Sequence, residues 1–471
     1  MKPHALWSYK PYAPLLYDAG KPYICRVQPG EDFIHIEWLP ESGVAEYRLY
    51  LGKAGEEPEY TATVGGNEYT FENLTPFEDY CFRVTCTAGE SRLRLARTGD
   101  RDGTDGVTVN YLHPKDDAYA FSGRYLCSPS IVRHPEGHLL ASMDVFEGDA
   151  PQNLTLIFRS DDDGKTWHHV CELFPCFWGK LFVHRGRLYM TACSTEYGDL
   201  LLGVSDDGGN SFSAPVVLIR GACHSCHNGI HKNPQPVVEY AGRIWNTCEW
   251  GSWAQGAHSP MVFSCAADAD LMEPSNWSLT PPVKYDPTWK GVAEGPTNGN
   301  IEGTLTVLRD GNLYNIMRYD MSQTKPSYGL VLAYKVNAQD PDAPLEYSHA
   351  IRLPGNFSKF EIKYDDVSDC YYSIITRIPD EEHRFDRTMC SLMVSRDGED
   401  WHLACDLIDK RAEDPHMTGF QYTDFIFDGE DILWLCREGV NRPHNFHDAN
   451  YSVFHRLKNF RRYVGKAYKE T

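Results

Sequence analysis

Ser160-Asp-Asp-Asp-Gly-Lys-Thr-Trp167, Ser205-Asp-Asp-Gly-Gly-Asn-Ser-Phe212 and Ser395-Arg-Asp-Gly-Glu-Asp-Trp401 are three versions of one turn. The first two fit Ser-x-Asp-x-Gly-x-x-aromatic, and the third is one residue shorter. Each follows an apolar run: Leu154-Thr-Leu-Ile-Phe158, Leu200-Leu-Leu-Gly-Val204 and Ser391-Leu-Met-Val394. In such a turn the Ser and Asp side chains bond the loop's own amides, Gly takes the left-handed position and the aromatic packs beneath. One copy says little, whereas three copies after three strands mark a repeat.

Outward from these turns, six apolar strands finish at Asp144, Cys193, Glu249, Arg318, Thr376 and Arg437, and each is preceded by another strand. Successive copies lie about 50 to 70 residues apart, the length of a four-stranded propeller blade. The expected fold is therefore all-β, with a six-bladed propeller over residues 119–471 and seven blades as the alternative. In a propeller the start of each first strand and the end of each second strand meet at one face of the central channel. Arg318 and Arg437 then point at a shared pocket, with Glu302, Glu249 and Asp144 nearby. Grouped guanidinium groups suit an anionic ligand, and the carboxylates can activate a tyrosine or move a proton. The plainer alternative pairs Arg318 with Asp320 and Arg437 with Glu438 at the blade ends.

Residues 23–98 alternate apolar and polar side chains in short runs split by Gly, Pro, Asn and Glu, the pattern of a small antiparallel sandwich. Trp38 followed by Pro40, and Leu74-Thr-Pro-Phe-Glu-Asp-Tyr80, resemble a fibronectin type III domain, with Trp38 as core tryptophan and Tyr80 as corner tyrosine. Residues 1–22 read as an N-terminal extension. Residues 99–118, which open with Gly99-Asp-Arg-Asp-Gly-Thr-Asp-Gly106, read as a polar linker.

The chain has 471 residues, 66 acidic and 45 basic, for a formal charge of −21. That field has the wrong sign for phosphate, so no nucleic-acid partner is expected. With 13% aromatic residues the chain can bury enough surface to offset its ordering entropy, which excludes disorder. No apolar run reaches membrane-spanning length, and no membrane partner is expected. The first residues lack a signal-peptide core and the 15 cysteines are irregularly spaced, which together suggest reduced thiols and a cytoplasmic location. Cys223-His-Ser-Cys226-His227 has a ligand spacing, but no second Cys-x-x-Cys completes a zinc ribbon; neither a metal nor a cofactor is expected.

The turn and the repeat resemble the sialidase-like Asp-box propeller superfamily over roughly residues 120–460. The resemblance implies a glycosidase acting at an acidic sugar of an oligosaccharide. The segment Asn300–Arg318 is similar to the one that brings the catalytic glutamate and an arginine of the carboxylate-binding triad, here Glu302 and Arg318. Arg387 falls at the place of a further arginine. Phe420-Gln-Tyr-Thr-Asp424 resembles the strand that carries the nucleophile, here Tyr422, which Glu302 would serve as base. Asp149 takes the place of the acid/base aspartate, with Asp144 as its rival. The first-blade arginine has no counterpart, because Tyr125-Leu-Cys-Ser-Pro-Ser130 puts Cys127 there.

A second resemblance, carried by Ser128-Pro-Ser-Ile-Val132 and by Asn445–Arg456, is to propeller lyases of uronate polysaccharides. It implies β-elimination, with Arg318 or Arg437 neutralising the uronate and His231 and Tyr422 as base and acid. A non-catalytic glycan-binding propeller is the third reading. In all three, Glu249-Trp-Gly-Ser-Trp253 would offer a sugar-stacking face, with Trp250 as the contact residue.

Overall fold

The computed structural model describes residues 21–101, 104–222, 228–253 and 257–468. Among them, six sheets of four or five antiparallel strands follow one another along the chain, and each is a propeller blade. Blade 1 runs Tyr125–Arg133, Leu139–Phe146, Leu154–Ser160 and His168–Leu173 in simple meander order. The first strands of blades 2 to 6 are Phe177–His184, Gly229–His231, Asn300–Val307, Lys363–Asp365 and Gly419–Asp428. No helix among the described residues is long and apolar enough to cross a membrane.

The three repeated turns form as their residue types require. In the first, Ser160 Oγ donates to Asp162 Oδ1 at 2.9 Å and accepts from Gly164 N at 2.8 Å, while Trp167 is fully buried beneath. Ser205–Asp207–Gly209 and Ser395–Asp397–Gly398 repeat the same bonds within 0.1 Å of these lengths. Trp167 also packs on Phe454 of blade 6, with ring centroids 5.4 Å apart, so the first turn joins the two ends of the ring.

The segment read as a linker, 99–118, contains Val107–Tyr111, and this strand is the outer strand of blade 6. It pairs with Tyr451–Leu457 in the register Tyr451↔Tyr111 and Phe454↔Val107. The propeller thus begins before residue 119, and a strand from the N-terminal side completes its sixth sheet.

Residues 23–97 fold as two packed sheets, ordered Tyr23–Pro29, Ile34–Leu39, Glu68–Phe71 and Glu59–Val64, Tyr47–Lys53, Asp79–Cys86, with Arg94–Arg97 beside the last. Ile34, Ile36 and Trp38 face inward by simple alternation, and Trp38 meets Tyr47 edge-on at 5.4 Å. Tyr80 Oη accepts the Thr75 amide at 3.0 Å. Glu37 lies on the other face of its strand yet is buried, because that face docks on the propeller. Arg26 holds it at 2.7 Å, His168 of blade 1 is 3.2 Å away, and Arg26 Nε donates to Val109 O at 2.9 Å. Removing either half of such a buried pair typically costs about 3–5 kcal/mol.

Four first strands break register at one place, between Cys127 and Ser130, Phe177 and Lys180, Ile301 and Thr304, and Gln421 and Asp424. The residue at each break has positive φ: Ser128 (50°), Trp178 (55°), Glu302 (60°) and Tyr422 (56°). Such a bulge re-aims one side chain and bends the strand. Two residues further on, each strand is tied to another blade across the channel wall. Ser130 Oγ accepts Leu181 N at 3.1 Å, Lys180 pairs with Asp424 at 2.6 Å, Thr304 Oγ1 accepts Ile362 N at 3.3 Å, and Asp424 accepts Ile131 N at 2.7 Å.

Candidate active site

Glu302 and Tyr422 sit on the bulges of blades 4 and 6 and reach each other. Tyr422 Oη donates to Glu302 Oε1 at 2.5 Å. A Cβ on Gly303, next to Glu302, would collide with Asn315 and Met317 of the second strand of blade 4. Arg318, on the second strand of blade 4, donates to Glu302 Oε2 at 2.7 Å, and its Nη1 lies 3.5 Å from Tyr422 Oη. Its Nε bonds Asn356 O at 3.1 Å. Arg318 therefore does not pair with Asp320, which instead accepts from the Asn298 side chain at 2.8 Å.

Burial works against the Glu302 charge, but Arg318, His231 and the Tyr422 hydroxyl hold its carboxyl below the usual range. Burial, and then the Glu302 charge, push the Tyr422 phenol up to about 12, against the pull of three arginines. The pair is thus poised as neutral phenol and carboxylate, a proton donor bonded to its base.

Arg387 and Arg437 complete the group. Arg387 donates to Phe357 O at 2.9 Å and to the Gln421 side chain, and its guanidinium faces the Phe446 ring. Arg437 donates to His447 O and lies over Tyr422 at 5.1 Å and Phe146 at 4.6 Å. Neither has a carboxylate partner among the described residues, and Arg437 Nε is buried without a hydrogen bond there. Glu438 is occupied by His455 at 2.7 Å, not by Arg437. Burial, together with Arg318 and Arg437, brings Arg387 down to about 10. Three guanidinium groups thus gather around Glu302, and Asp448, held below the usual range by His447, His444 and Arg437 against its burial, is a second carboxylate within their reach.

A second dyad borders the first. His231 Nδ1 donates to Glu249 Oε2 at 2.8 Å, and Glu249 Oε1 accepts the Gly303 amide at 3.2 Å, beside Glu302. His231 is packed between Trp178, with centroids 4.2 Å apart, and His258 at 5.0 Å. Both ring nitrogens of His258 lack a hydrogen bond among the described residues, and burial drives its pKa far down. Trp253, 45% exposed, meets His258 edge-on at 4.9 Å.

One of the sequence expectations needs correction. Asp144 does not face a ligand: it is fully buried, its Oδ1 accepts from Thr155 at 2.5 Å and its Oδ2 from Trp178 N at 2.6 Å. Burial raises it to about 7, and its role is to hold the Trp178 bulge. Trp250 is half-buried against an apolar cluster that runs from blade 1 through blade 3, and the more exposed ring of that stretch is Trp253. Asp149 lies exposed on the turn after Leu139–Phe146, at the same end of blade 1 as Cys127; among the described residues no hydrogen bond joins it to the Tyr422–Glu302 pair. Cys223–His227 lie outside the described residues.

Trp178, His258 and Gln421 went unread in the sequence. Aligning the first strands would have found Trp178, because Phe177-Trp-Gly-Lys180 stands where Ile301-Glu-Gly-Thr304 does. Nothing local marks His258.

No protein-family model matches the chain, and no curated protein matches it. Solved structures do. An α-L-arabinofuranosidase from Fusarium graminearum, in complex with an iminosugar inhibitor, aligns with a TM-score of 0.50 at 11% identity over 78% of this chain and 99% of its own. An α-L-arabinanase from Penicillium chrysogenum bound to arabinobiose gives 0.49 at 14% identity, over 75% and 97%. A leech intramolecular trans-sialidase bound to 2,7-anhydro-Neu5Ac gives 0.49 at 11% identity, over 93% and 84%. The chain carries a β-propeller, and its likeness to the arabinofuranosidase is one of fold.

Proposed function

We propose that the protein is a glycosidase that hydrolyses a glycosidic bond at an acidic sugar. The observation that carries this reading is the Tyr422–Glu302 bond of 2.5 Å, set among three guanidinium groups of which two lack a carboxylate partner among the described residues. A carboxylate nucleophile would repel an anionic sugar, whereas a neutral phenol does not. The iminosugar bound by the arabinofuranosidase of the same fold is consistent with a carbohydrate substrate.

In this mechanism Arg387 and Arg437 bind the substrate carboxylate, with Arg437 supplying the charge that Cys127 does not. Tyr422 Oη attacks the anomeric carbon as its proton passes to Glu302, and Arg318 holds Glu302 in place and in its ionised form. Asp149, on the rim turn of blade 1, protonates the leaving oxygen and later takes a proton from the water that releases the sugar. The first half breaks one glycosidic bond and forms a tyrosyl–sugar bond; the second exchanges that bond for water, and Glu302 returns its proton to the departing Tyr422 oxygen.

A second reading, β-elimination from a uronate, is favoured by one observation: His231, oriented by Glu249 at 2.8 Å, stands beside the same pocket as a ready base. Product masses separate the two. Acidic oligosaccharides incubated with the protein should yield products whose masses sum to substrate plus one water, and Tyr422→Phe should abolish this while still binding substrate. Products that sum to the substrate itself and absorb in the ultraviolet as unsaturated uronates establish the lyase, whereas the same masses without that absorbance mean an anhydro sugar formed by internal transfer; unchanged turnover by Tyr422→Phe removes both mechanisms.

A further inference from the structure

The hairpin that joins the first two strands of blade 1 reads Arg133-His-Pro-Glu-Gly-His138, and it gathers three potential ligands at the end of the blade away from Tyr422. His134 N donates to His138 O at 2.9 Å, and Gly137 N to His134 O at 2.8 Å, with Gly137 at φ +101°. His134 and His138 are thus cross-strand neighbours, and their side chains share one side of the sheet. Their rings stack with centroids 4.5 Å apart and 18° between planes, and both are buried. The Glu136 carboxylate folds back over them, 3.7 Å from His134 Nδ1 and 4.0 Å from His138 Nδ1. One donor atom from each of the three residues falls within 4.8 Å of the others.

The outer contacts orient the rings. His138 Nε2 bonds Gly208 O at 2.8 Å, and a carbonyl can only accept, so the proton sits on Nε2 and the Nδ1 lone pair faces Glu136. A ligating histidine is ordinarily fixed in this way, through its second nitrogen and a backbone carbonyl. His134 Nδ1 also carries a lone pair, since it accepts the Glu136 amide in a long bond of 3.2 Å; an ion would take over that lone pair and leave the amide to solvent. The nearby guanidinium of Arg159 is engaged by Asp161 at 2.6 Å and so is not an open positive charge.

We propose that His134, Glu136 and His138 form a site for one divalent transition-metal ion of the zinc class. Two imidazoles and a carboxylate are a normal donor set for that ion, with ligand bonds of about 2.0–2.2 Å that place donors roughly 3.3 Å apart. Glu136 needs to close by less than about an ångström from the 3.7 and 4.0 Å it now shows, and because an imidazole lone pair lies in the ring plane, the two stacked rings must also turn out of their parallel arrangement to share one ion. Gly208 belongs to the second repeated turn, and a Cβ on it would stand 3.1 Å from Glu136 Oε2. An ion here therefore clamps the blade 1 hairpin to the blade 2 turn and acts on stability, at a distance of roughly 20 Å along the strand from the bulge at Ser128.

The test uses full-length protein stripped with a chelator, loaded with zinc chloride, desalted and assayed for metal content and thermal unfolding. Wild type should hold one equivalent more than H134A/H138A, and zinc should raise its unfolding midpoint by several degrees while leaving that of the variant in place. Glu136→Gln, a change at an exposed side chain, should fold normally and bind zinc at least about tenfold more weakly. Cobalt(II) in place of zinc should give visible bands without thiolate charge transfer, which separates this site from the Cys223–His227 segment. Equal metal content and equal zinc response in wild type, H134A/H138A and Glu136→Gln would overturn the proposal.

Discussion

Replacing Arg387 by Met separates what the positive cluster does for the substrate from what it does for the fold. Arg387 is half-buried near Arg318 and Arg437, has no carboxylate partner among the described residues, and is brought below its ordinary value to about 10. At neutral pH the folded protein therefore carries this charge at a cost on the order of 3 kcal/mol relative to the unfolded chain, as an upper figure. Met keeps the apolar stem and removes that cost. It also forfeits the bonds to Phe357 O and the Gln421 side chain, about 1 kcal/mol each. The two effects nearly cancel, so the denaturant midpoint should stay level or rise slightly. Binding of an acidic sugar should suffer instead, since a charge-assisted bond contributes about 1.5–3 kcal/mol. That is a fall of roughly 10- to 150-fold in kcat/KM for the acidic substrate, and little change for its neutral methyl ester. The assay is steady-state kinetics on the two substrates beside a urea titration of each protein. A fall of less than about threefold on the acidic substrate, or an equal fall on the ester, would refute the role of the cluster as a carboxylate receptor.

Three further perturbations probe other parts of the molecule. Glu302→Gln should reduce turnover about 10²- to 10⁴-fold through loss of the base, and destabilise the fold by about 3–5 kcal/mol because Arg318 is left buried without its partner; kinetics and urea unfolding read the two effects. Glu172, bonded by Tyr23 at the junction with the sandwich and pushed to about 7 mainly by burial, binds a proton more tightly when folded. Its contribution is present at acidic pH and is lost as pH rises towards 7, so Glu172→Gln should gain on wild type between about pH 5 and 8, by on the order of 3 kcal/mol; a pH-independent difference counts against the assignment. Trp253→Ala should raise KM roughly three- to tenfold at constant kcat if the exposed ring stacks on a sugar, and an unchanged KM would exclude it.

The blades were legible because their signal is local. Alternating apolar strands and Ser-Asp-Gly turns follow from contacts a few residues apart, and the hydrogen bonds of Ser160, Ser205 and Ser395 repeat as their residue types demand. Val107–Tyr111 was not legible for the opposite reason. Its partner strand, Tyr451–Leu457, lies at the other end of the chain, and the Gly- and Asp-rich run before it looks like any linker. Asp144 shows the limit of reading strand ends. The rule that polar ends face the channel mouth holds for Glu249, Arg318 and Arg437, but Thr376 donates to Phe420 O and Asp144 turns to the backbone of blade 2. Whether a strand-end side chain meets ligand or backbone depends on the neighbouring blade, which no pattern within one blade reports.

The bulges sharpen this point. Cys127-Ser-Pro-Ser130, Phe177-Trp-Gly-Lys180, Ile301-Glu-Gly-Thr304 and Gln421-Tyr-Thr-Asp424 share no residue at all four, only a Gly after the kink in the second and third, yet all four break register at the same place. Positive φ at Trp, Glu and Tyr opposes local preference and costs on the order of 1–3 kcal/mol each. Local sequence therefore cannot be its cause. The ties two residues further on, between Ser130 and Leu181, Lys180 and Asp424, and Thr304 and Ile362, hold the strands to one another at the channel and oblige the chain to kink just before. Closure of the ring thus aims the side chains, and the sequence at each kink only decides what is aimed. Blade 4 presents a carboxylate, blade 6 a phenol, blade 2 an indole and blade 1 a small hydroxyl. Because Ser128 is small and Cys127 uncharged, blade 1 brings no cation of its own to the mouth. Arg437, paired in register with Gln421 one residue before the Tyr422 kink, brings that charge from the adjoining blade. On the proposed reading Arg437 brings the cation that blade 1 does not, and Arg437→Met should weaken acidic substrates as Arg387→Met does.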